Sequence, residues 1–301
     1  ITPEKINRSE GMRKCLQRLC DRNLVSRFVI DEAHCISQWG HSFRPDYIEL
    51  RNLRDWFPDV PIMALTATAN QKTLRDCSSL LKLRKSNTNV FKQGFNRPNL
   101  RYEIKPKTKD TLSEIAAYIR NHREESGIIY CLSRKDTETV AEKLTELTDM
   151  QTLYYHGDMS NDTRADVQSR WSNGDIKVIC ATVAFGMGIN KPDVRYVIHY
   201  TLPKSLTHFY QESGRAGRDG MVSKCILYYS FKDKSVLAGM IKKGSIDEGT
   251  GAYRRPNLVK QQMDLDNLYK CVNFCLNEVD CRRVLISNYF GDEFDAAECN
   301  R

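Results

Sequence analysis

The stretch FVIDEAH, residues 28–34, decides the fold of the first part of the chain. Its three apolar residues, Phe28–Ile30, run directly into the acidic pair Asp31-Glu32. Three later apolar runs have the same form, at 62–65 before Thr66, 128–131 just before Ser133, and 178–181 before Thr182. Short apolar runs that end in polar residues predict strands buried on both faces of a parallel sheet.

Helical patterns separate the later runs. Apolar residues recur on one helical face over 112–119 and again over 140–147. Ser133 and Asp136 have the spacing of a capping box at the start of the second helix. The alternation of strands and helices predicts an α/β fold, in which ligands bind beyond the carboxyl ends of the strands.

Composition excludes several classes of protein. The 301 residues suffice for about two domains with buried cores, and 41% hydrophobic with 28% charged residues is typical of a globular rather than a disordered or fibrous chain. No apolar stretch approaches the roughly 20 residues of a membrane span, so we expect no membrane partner. The net charge of +8 permits a nucleic-acid partner. The eleven cysteines, mostly scattered singly, indicate buried thiols in a reducing compartment.

The acidic pair and a later arginine pair are the strongest candidates for catalysis. Asp31 can hold Mg²⁺ through water while Glu32 orients or deprotonates an attacking water, although acidic residues are also favoured at any helix N-terminus. Arg215 and Arg218 lie three residues apart among small residues, so both guanidinium groups can face one phosphoryl group. The alternative for the arginines is a solvated basic helix start.

Six motifs, taken in order along the chain, resemble the RecQ family of DNA helicases, and in detail its Bloom-type eukaryotic branch. They are VIDEAHCISQWGHSFRPDY (29–47), ALTATA (64–69), GIIYCLSR (127–134), YHGDMS (155–160), ATVAFGMGINKPDVR (181–195) and QESGRAGRDG (211–220). The resemblance implies two RecA-like parallel-sheet domains, the first incomplete, with ATP in the cleft between them and a partial helical zinc-binding subdomain. The expected domains are 1–104, 105–231 and 232–301, with linkers at 94–109 and 244–256.

The resemblance also implies roles for single residues around ATP. Asp31 belongs to the magnesium shell, Glu32 positions the hydrolytic water, and His34 couples two states of the motor. Arg218 is the arginine finger, and Arg215 is its partner. The other implied nucleotide-binding residues are Gly188, Gln211 and Asn190, the last at a position where related helicases often carry Asp.

The loop after His34 and four strand ends are expected to bind DNA. Aromatic and guanidinium groups on a loop can stack on bases. Trp39 and Phe43 could instead anchor the loop in a core, but the resemblance favours the DNA-binding role. Thr66 and Thr68 can bond either the acidic stretch or the DNA backbone. The implied DNA-binding residues are Ser37, Gln38, Trp39, His41, Phe43, Arg44, Thr66, Thr68, Arg134, His156 and Thr182.

The C-terminal cysteines are expected to contribute half of a zinc site. Cys281 and Cys299 match two ligands of the RecQ zinc subdomain, and the other two would lie after Arg301. Cys271 and Cys275 have the spacing of a buried helix face instead.

The function implied is an ATP-dependent DNA helicase that translocates 3′ to 5′ and unwinds DNA in recombination, repair and replication in the nucleus. Its expected partners are single-stranded and forked or branched DNA, and its cofactors are ATP, Mg²⁺ and Zn²⁺. No G-x-x-x-x-G-K-[ST] loop occurs in the sequence, so we expect a fragment with weak or absent ATP hydrolysis. The alternatives are an RNA helicase and a nucleic-acid-binding module with an inactive motor.

Overall fold

The structure is a computed structural model that describes residues 1–37, 44–69, 71–186, 189–243, 258–294 and 297. Several residues singled out above, namely Gln38, Trp39, His41, Phe43, Gly188 and Cys299, lie outside this part of the chain, as does the expected linker at 244–256. The described residues divide into two compact units. The first contains Ile1–Phe95 and Phe290–Glu293, and the second contains Asn96–Tyr289 and the described residues beyond Glu293.

The first unit packs short helices around two strands. Strand β1 (Phe28–Ile30) pairs in parallel with β2 (Ile62–Ala64). The helices are α1 (Pro3–Arg8), α2 (Glu10–Asp21), α3 (Pro45–Ile48), α4 (Leu53–Trp56) and α5 (Gln71–Leu80), with 3₁₀ turns at Ala33–Ile36, Glu49–Asn52 and Lys85–Asn87. Their apolar faces form one core.

One face of the β1–β2 pair is open among the described residues. Val29 is 53% exposed, and Met63 and Leu65 are also exposed. The prediction of strands buried on both faces is therefore wrong for this pair. The physical reason is that the helices of the unit pack on the face that carries Ile30, and no described element covers the other face.

The second unit is built on a parallel six-stranded sheet. Its strands are β3 (Leu100–Pro106), β4 (Ser126–Tyr130), β5 (Thr152–Tyr155), β6 (Val178–Ala181), β7 (Val194–His199) and β8 (Ser223–Tyr229). They are ordered β3-β8-β7-β4-β6-β5. Here the central strands are buried on both faces, as the apolar runs predict.

Helices follow the strands of this sheet as the alternation predicts. They are α6 (Thr111–Asn121), α7 (Arg134–Thr148), α8 (Asn161–Asn173) and α9 (Leu206–Ser213). Ser133 caps α7, and the reciprocal bond from the Asp136 side chain completes the predicted capping box. Two apolar cores lie among the strands and these helices, and Trp171 is fully buried in one of them.

The expected linker at 94–109 contains β3. Leu100–Pro106 pairs along its whole length with β8 at the edge of the sheet, and the division between the units falls at Phe95 and Asn96. The prolines and polar residues of this segment suggested a linker, but an edge strand needs only one paired side, so it tolerates Pro106.

The C-terminal part of the second unit is helical. It contains α10 (Phe231–Lys243), α11 (Leu258–Leu276) and most of α12 (Arg282–Phe290). Cys271 and Cys275 are buried on α11, as their spacing predicts. Helix α11 packs on α9, where the Phe274 and Phe209 rings lie 5.4 Å apart.

No helix of the described residues has the length and apolar character needed to cross a membrane. The thiols of Cys131, Cys180 and Cys225 are buried and form no disulfide bond, as expected.

Candidate active site

The acidic pair forms a tight turn at the carboxyl end of β1. The Ala33 N–H donates to the Leu65 carbonyl at 2.8 Å, which ties the turn to the end of β2. Glu32 adopts a left-handed backbone conformation with φ of 50°, and its N–H donates to Asp31 Oδ1 at 2.9 Å. Non-glycine residues rarely adopt this conformation, and such residues cluster at functional sites. The turn leaves the Asp31 side chain exposed and the Glu32 side chain half-buried.

His34 is buried directly behind this turn. Its Nδ1 lies 3.2 Å from Glu32 Oε2 and 3.1 Å from Thr66 Oγ1, and its Nε2 lies 3.8 Å from Cys35 Sγ. Burial lowers the pKa of the His34 imidazole, but the Cys35 and Glu32 contacts outweigh burial and raise the pKa to about 9. The ring is therefore protonated at neutral pH and orients the Glu32 carboxylate.

The threonines after β2 support the same turn. The Thr66 hydroxyl contacts His34, which is the first of the two alternatives stated for this strand end. Thr66 Oγ1 also accepts from the Thr68 N–H at 3.2 Å.

Two candidate DNA-binding residues of the loop after His34 are described. Ser37 is buried, and its hydroxyl donates to Asp76 Oδ2, on α5, at 2.5 Å. The Arg44 N–H donates to the Cys35 carbonyl at 3.1 Å.

The arginine motif follows α9 in the second unit. Arg215 Nη1 donates to the Gly186 carbonyl at 2.5 Å, and Arg218 Nη1 donates to the Ile189 carbonyl at 2.7 Å. Both guanidinium groups therefore bond the segment that follows β6. Burial lowers the pKa of Arg218, and the neighbouring charges of Arg215 and Arg97 lower it further. Three arginines thus concentrate positive charge in one region of the second unit, which suits a phosphate partner.

Gly186 is needed where Arg215 bonds the chain. A Cβ atom at this position would lie 2.8 Å from Arg215 Nη2 and 3.2 Å from the Val183 carbonyl oxygen. The glycine therefore lets the guanidinium approach the backbone closely.

The remaining candidates of the second unit are dispersed. Gln211 lies on α9, Asn190 is exposed, and the half-buried Thr182 follows β6. Arg134, at the start of α7, forms an exposed ion pair with Asp158. His156 is buried, and its Nε2 lies 3.0 Å from Glu138 Oε1. Arg134 and His156 are thus paired within the unit.

Sequence reasoning missed a buried His–Glu pair next to the arginine motif. His199 ends β7, Glu212 lies in the last turn of α9, and their Nε2 and Oε2 atoms are 2.8 Å apart. Tyr130 stacks on the His199 ring at 5.4 Å and donates its hydroxyl proton to the Phe185 carbonyl at 2.9 Å. A polar residue at the end of a buried strand is the signal that could have identified His199.

The structure describes one expected magnesium ligand, Asp31, and one expected zinc ligand, Cys281. Asp31 supplies an exposed carboxylate at a strand end, and Mg²⁺ is commonly held by one or two carboxylates together with water and substrate phosphates. Of the two expected zinc ligands, Cys281 is described; it precedes α12, and its carbonyl accepts from the Leu285 N–H at 3.1 Å. No group of three or more candidate metal-binding side chains occurs within the described ranges.

Comparison with known proteins matches three family models along the chain. The DEAD/DEAH box helicase model matches residues 1–77, the helicase conserved C-terminal domain matches 107–220, and the RecQ zinc-binding model matches 231–301. The chain belongs to the RecQ helicase family. Its matched regions are a DEAD/DEAH box helicase region, a helicase C-terminal domain and a RecQ zinc-binding region.

Relatives in eukaryotes match almost the whole RecQ chain. ATP-dependent DNA helicase Q-like 4B of Arabidopsis thaliana is 49% identical over 99% of the chain, and RecQ-like DNA helicase BLM of Xenopus laevis is 47% identical over 97%. The chain spans 26% and 21% of these two relatives' lengths.

A solved structure supports the fold alone. Saccharomyces cerevisiae Dbp5 bound to RNA and ADP BeF3 matches with a TM-score of 0.57 at 18% identity, over 86% of this chain and 68% of that one.

Proposed function

We propose that the chain is the motor region of an ATP-dependent DNA helicase that moves 3′ to 5′. The observation that carries the proposal is the acidic turn after β1, where Glu32 has a left-handed backbone and its Oε2 lies 3.2 Å from His34 Nδ1, beside the exposed Asp31. A carboxylate fixed in this way can orient an attacking water. Relatives that match the chain are named ATP-dependent DNA helicases.

The residues of the acidic turn divide the work of ATP hydrolysis. Glu32 accepts a proton from the attacking water and fixes its direction, and His34 holds Glu32 in place. Asp31 would hold Mg²⁺ through water, and the bound ion would supply neutralisation of charge on the phosphoryl oxygens. Because His34 also bonds Thr66, a movement of the segment after β2 reaches Glu32 through this histidine.

In the second unit, Arg218 acts as the arginine finger and Arg215 as its partner. Charge develops on the transferred phosphoryl oxygens in the transition state, and a guanidinium group matches these oxygens. Gln211, Gly188 and Asn190 complete the nucleotide-binding set that we propose.

We further propose that single-stranded and forked or branched DNA binds the candidate DNA-binding residues named above, from Ser37 to Thr182.

Cys281 and Cys299 are proposed as zinc ligands. The expected boundary at 104 falls inside β3, so we propose the first domain division at 95–96 instead and keep the expected boundary at 231. We also propose action in recombination, repair and replication in the nucleus. Eukaryotic relatives such as Saccharomyces cerevisiae SGS1, 43% identical over the whole chain, support this placement.

The proposal is tested in a hybrid protein. The segment of Xenopus laevis RecQ-like DNA helicase BLM that matches this chain, over an alignment of 295 residues, is replaced by the chain. We measure ATP hydrolysis with and without single-stranded DNA, and unwinding of duplexes that carry a 3′ or a 5′ tail. The 301-residue chain by itself and the unaltered relative are measured in parallel, and we expect weak hydrolysis from the former.

We expect the hybrid to hydrolyse ATP faster when single-stranded DNA is added and to unwind the 3′-tailed duplex. A hybrid that binds DNA without added hydrolysis would instead indicate a nucleic-acid-binding module with an inactive motor. Equal stimulation by RNA and unwinding of RNA duplexes would indicate an RNA helicase.

A further inference from the structure

The buried pair of Glu212 and His199 joins the arginine motif to the central sheet. The side chains are 7% and 1% exposed, and the bond between them runs from the last turn of α9 to the last residue of β7. Withdrawing two such groups from water carries a desolvation penalty, and an apolar pair of the same volume often gives equal or greater stability. Stability alone therefore does not explain a polar pair at this place.

Glu212 is connected directly to Arg215 through the backbone. The Arg215 N–H donates to the Glu212 carbonyl at 3.3 Å, and the Gly214 N–H donates to the Tyr210 carbonyl at 2.8 Å. The chain thus leaves α9 in a tight turn whose position depends on where the last helical turn is held. The carboxylate of Glu212 holds that turn against β7.

His199 is connected to Arg215 by a second series of contacts. His199 stacks on Tyr130, and the Tyr130 hydroxyl bonds the Phe185 carbonyl. Arg215 bonds the next carbonyl along the chain, that of Gly186. The pair is therefore connected both to the backbone of Arg215 and to the segment that its guanidinium group bonds.

We propose that Glu212, through His199, is a positioning residue that fixes the guanidinium group of Arg215 for phosphoryl transfer. This inference rests on the proposed function. A displacement of about 1 Å in a group that contacts the transferring phosphoryl lowers turnover by up to roughly 100-fold without weakening ground-state binding. Glu212 itself does not contact the nucleotide in this proposal.

The test separates positioning from stability with two replacements of the pair. In Glu212→Gln the amide oxygen still accepts the His199 Nε2 proton, so the direction of the bond is kept. In the double variant His199→Phe with Glu212→Leu the cavity stays filled but the bond is lost. Thermal unfolding is measured on the 301-residue protein, and kcat, the KM for ATP and the Kd for single-stranded DNA are measured in the hybrid. Glu103→Gln, on the edge strand β3, is the matched control.

We expect kcat of Glu212→Gln within about threefold of the unsubstituted hybrid. For the double variant we expect an unfolding temperature at or above that of the unsubstituted chain, with kcat reduced roughly 10–100-fold and KM and Kd unchanged. A folded double variant with unchanged kcat would overturn the proposal. A fall in kcat accompanied by comparable increases in the KM for ATP and the Kd for single-stranded DNA would also overturn it. An unsubstituted hybrid without hydrolysis would count against the proposed function instead.

Discussion

The contact between Glu32 and His34 predicts a measurable change in the pKa of one residue, His34. Because the Glu32 carboxylate helps to raise the pKa of His34 to about 9, we expect Glu32→Gln to lower that pKa by roughly 1–3 units. The measurement is an NMR titration of the His34 ring protons in the 301-residue protein. Glu138→Gln, beside another histidine, is the control and leaves the His34 pKa unchanged. A His34 pKa that stays near 9 in Glu32→Gln would show that the carboxylate does not hold the ring.

The same shift sets a pH dependence of stability. The folded-state pKa of His34 lies above its ordinary value of 6.5, so the folded state binds the proton more tightly than the unfolded state does. The stabilisation is fully present below pH 6.5 and is lost as the pH rises through about 9. We expect the free energy of unfolding of the unsubstituted chain to fall more over this interval than that of His34→Asn. Parallel pH profiles of the two proteins, measured by urea unfolding, would contradict the assignment.

Gly186→Ala tests the close approach of Arg215. The new Cβ atom would meet the flexible end of the Arg215 side chain, so we expect the guanidinium group to leave the Gly186 carbonyl while the fold persists. In the hybrid we expect kcat to fall roughly 10–100-fold. Gly239→Ala, on α10, has open space around its Cβ and is the control. Equal kcat for the two alanine variants would show that this approach is not needed.

At the level of residues, the sequence predicted the site where polar side chains directly follow a strand. Asp31, Glu32 and Thr66 could be grouped because the carboxyl ends of neighbouring parallel strands meet at one edge. The Glu212–His199 pair could not, because its two residues come from a strand and a helix whose contact depends on the packing of α9. The left-handed backbone of Glu32 likewise has no signature in residue type.

At the level of elements, the capping box of α7 gives a prediction of local stability. Ser133→Ala removes the acceptor for the Asp136 N–H, and the loss is expected to lower the free energy of unfolding by about 1 kcal/mol. Ser235→Ala, on the exposed side of α10, is the control and should change it by less than about 0.5 kcal/mol. Urea unfolding of the 301-residue protein measures both. Equal effects of the two substitutions would remove the cap as a source of stability.

The sequence predicted the central strands of the second sheet better than its edge. Uniform apolar runs identify β4 and β6 because both faces of these strands are buried. β3 is only half-buried and contains charged residues, so its pattern resembled a linker. The two strands of the first unit were located correctly, but their open face could not be deduced from runs that are apolar on both sides.

For the whole molecule, the proposed DNA binding implies a steep dependence on salt. Phosphate contacts release counterions, so the logarithm of the binding constant should fall linearly with the logarithm of the salt concentration. We expect Arg134→Ala to reduce this slope by about 0.7, the contribution of one contact with a single strand. Arg120→Ala, at the end of α6, is the control. Fluorescence anisotropy with labelled single-stranded DNA measures the slope, and an unchanged slope for Arg134→Ala would exclude that contact.

The central claim is that Glu32 and Arg218 are each required for transfer of the phosphoryl group of ATP. DNA-stimulated ATP hydrolysis by the hybrid, measured beside nucleotide binding, tests it most directly. We predict that Glu32→Gln and Arg218→Ala each lower kcat at least about 1,000-fold while the Kd for ATP stays within about threefold. Hydrolysis at the unsubstituted rate by either variant would contradict the claim.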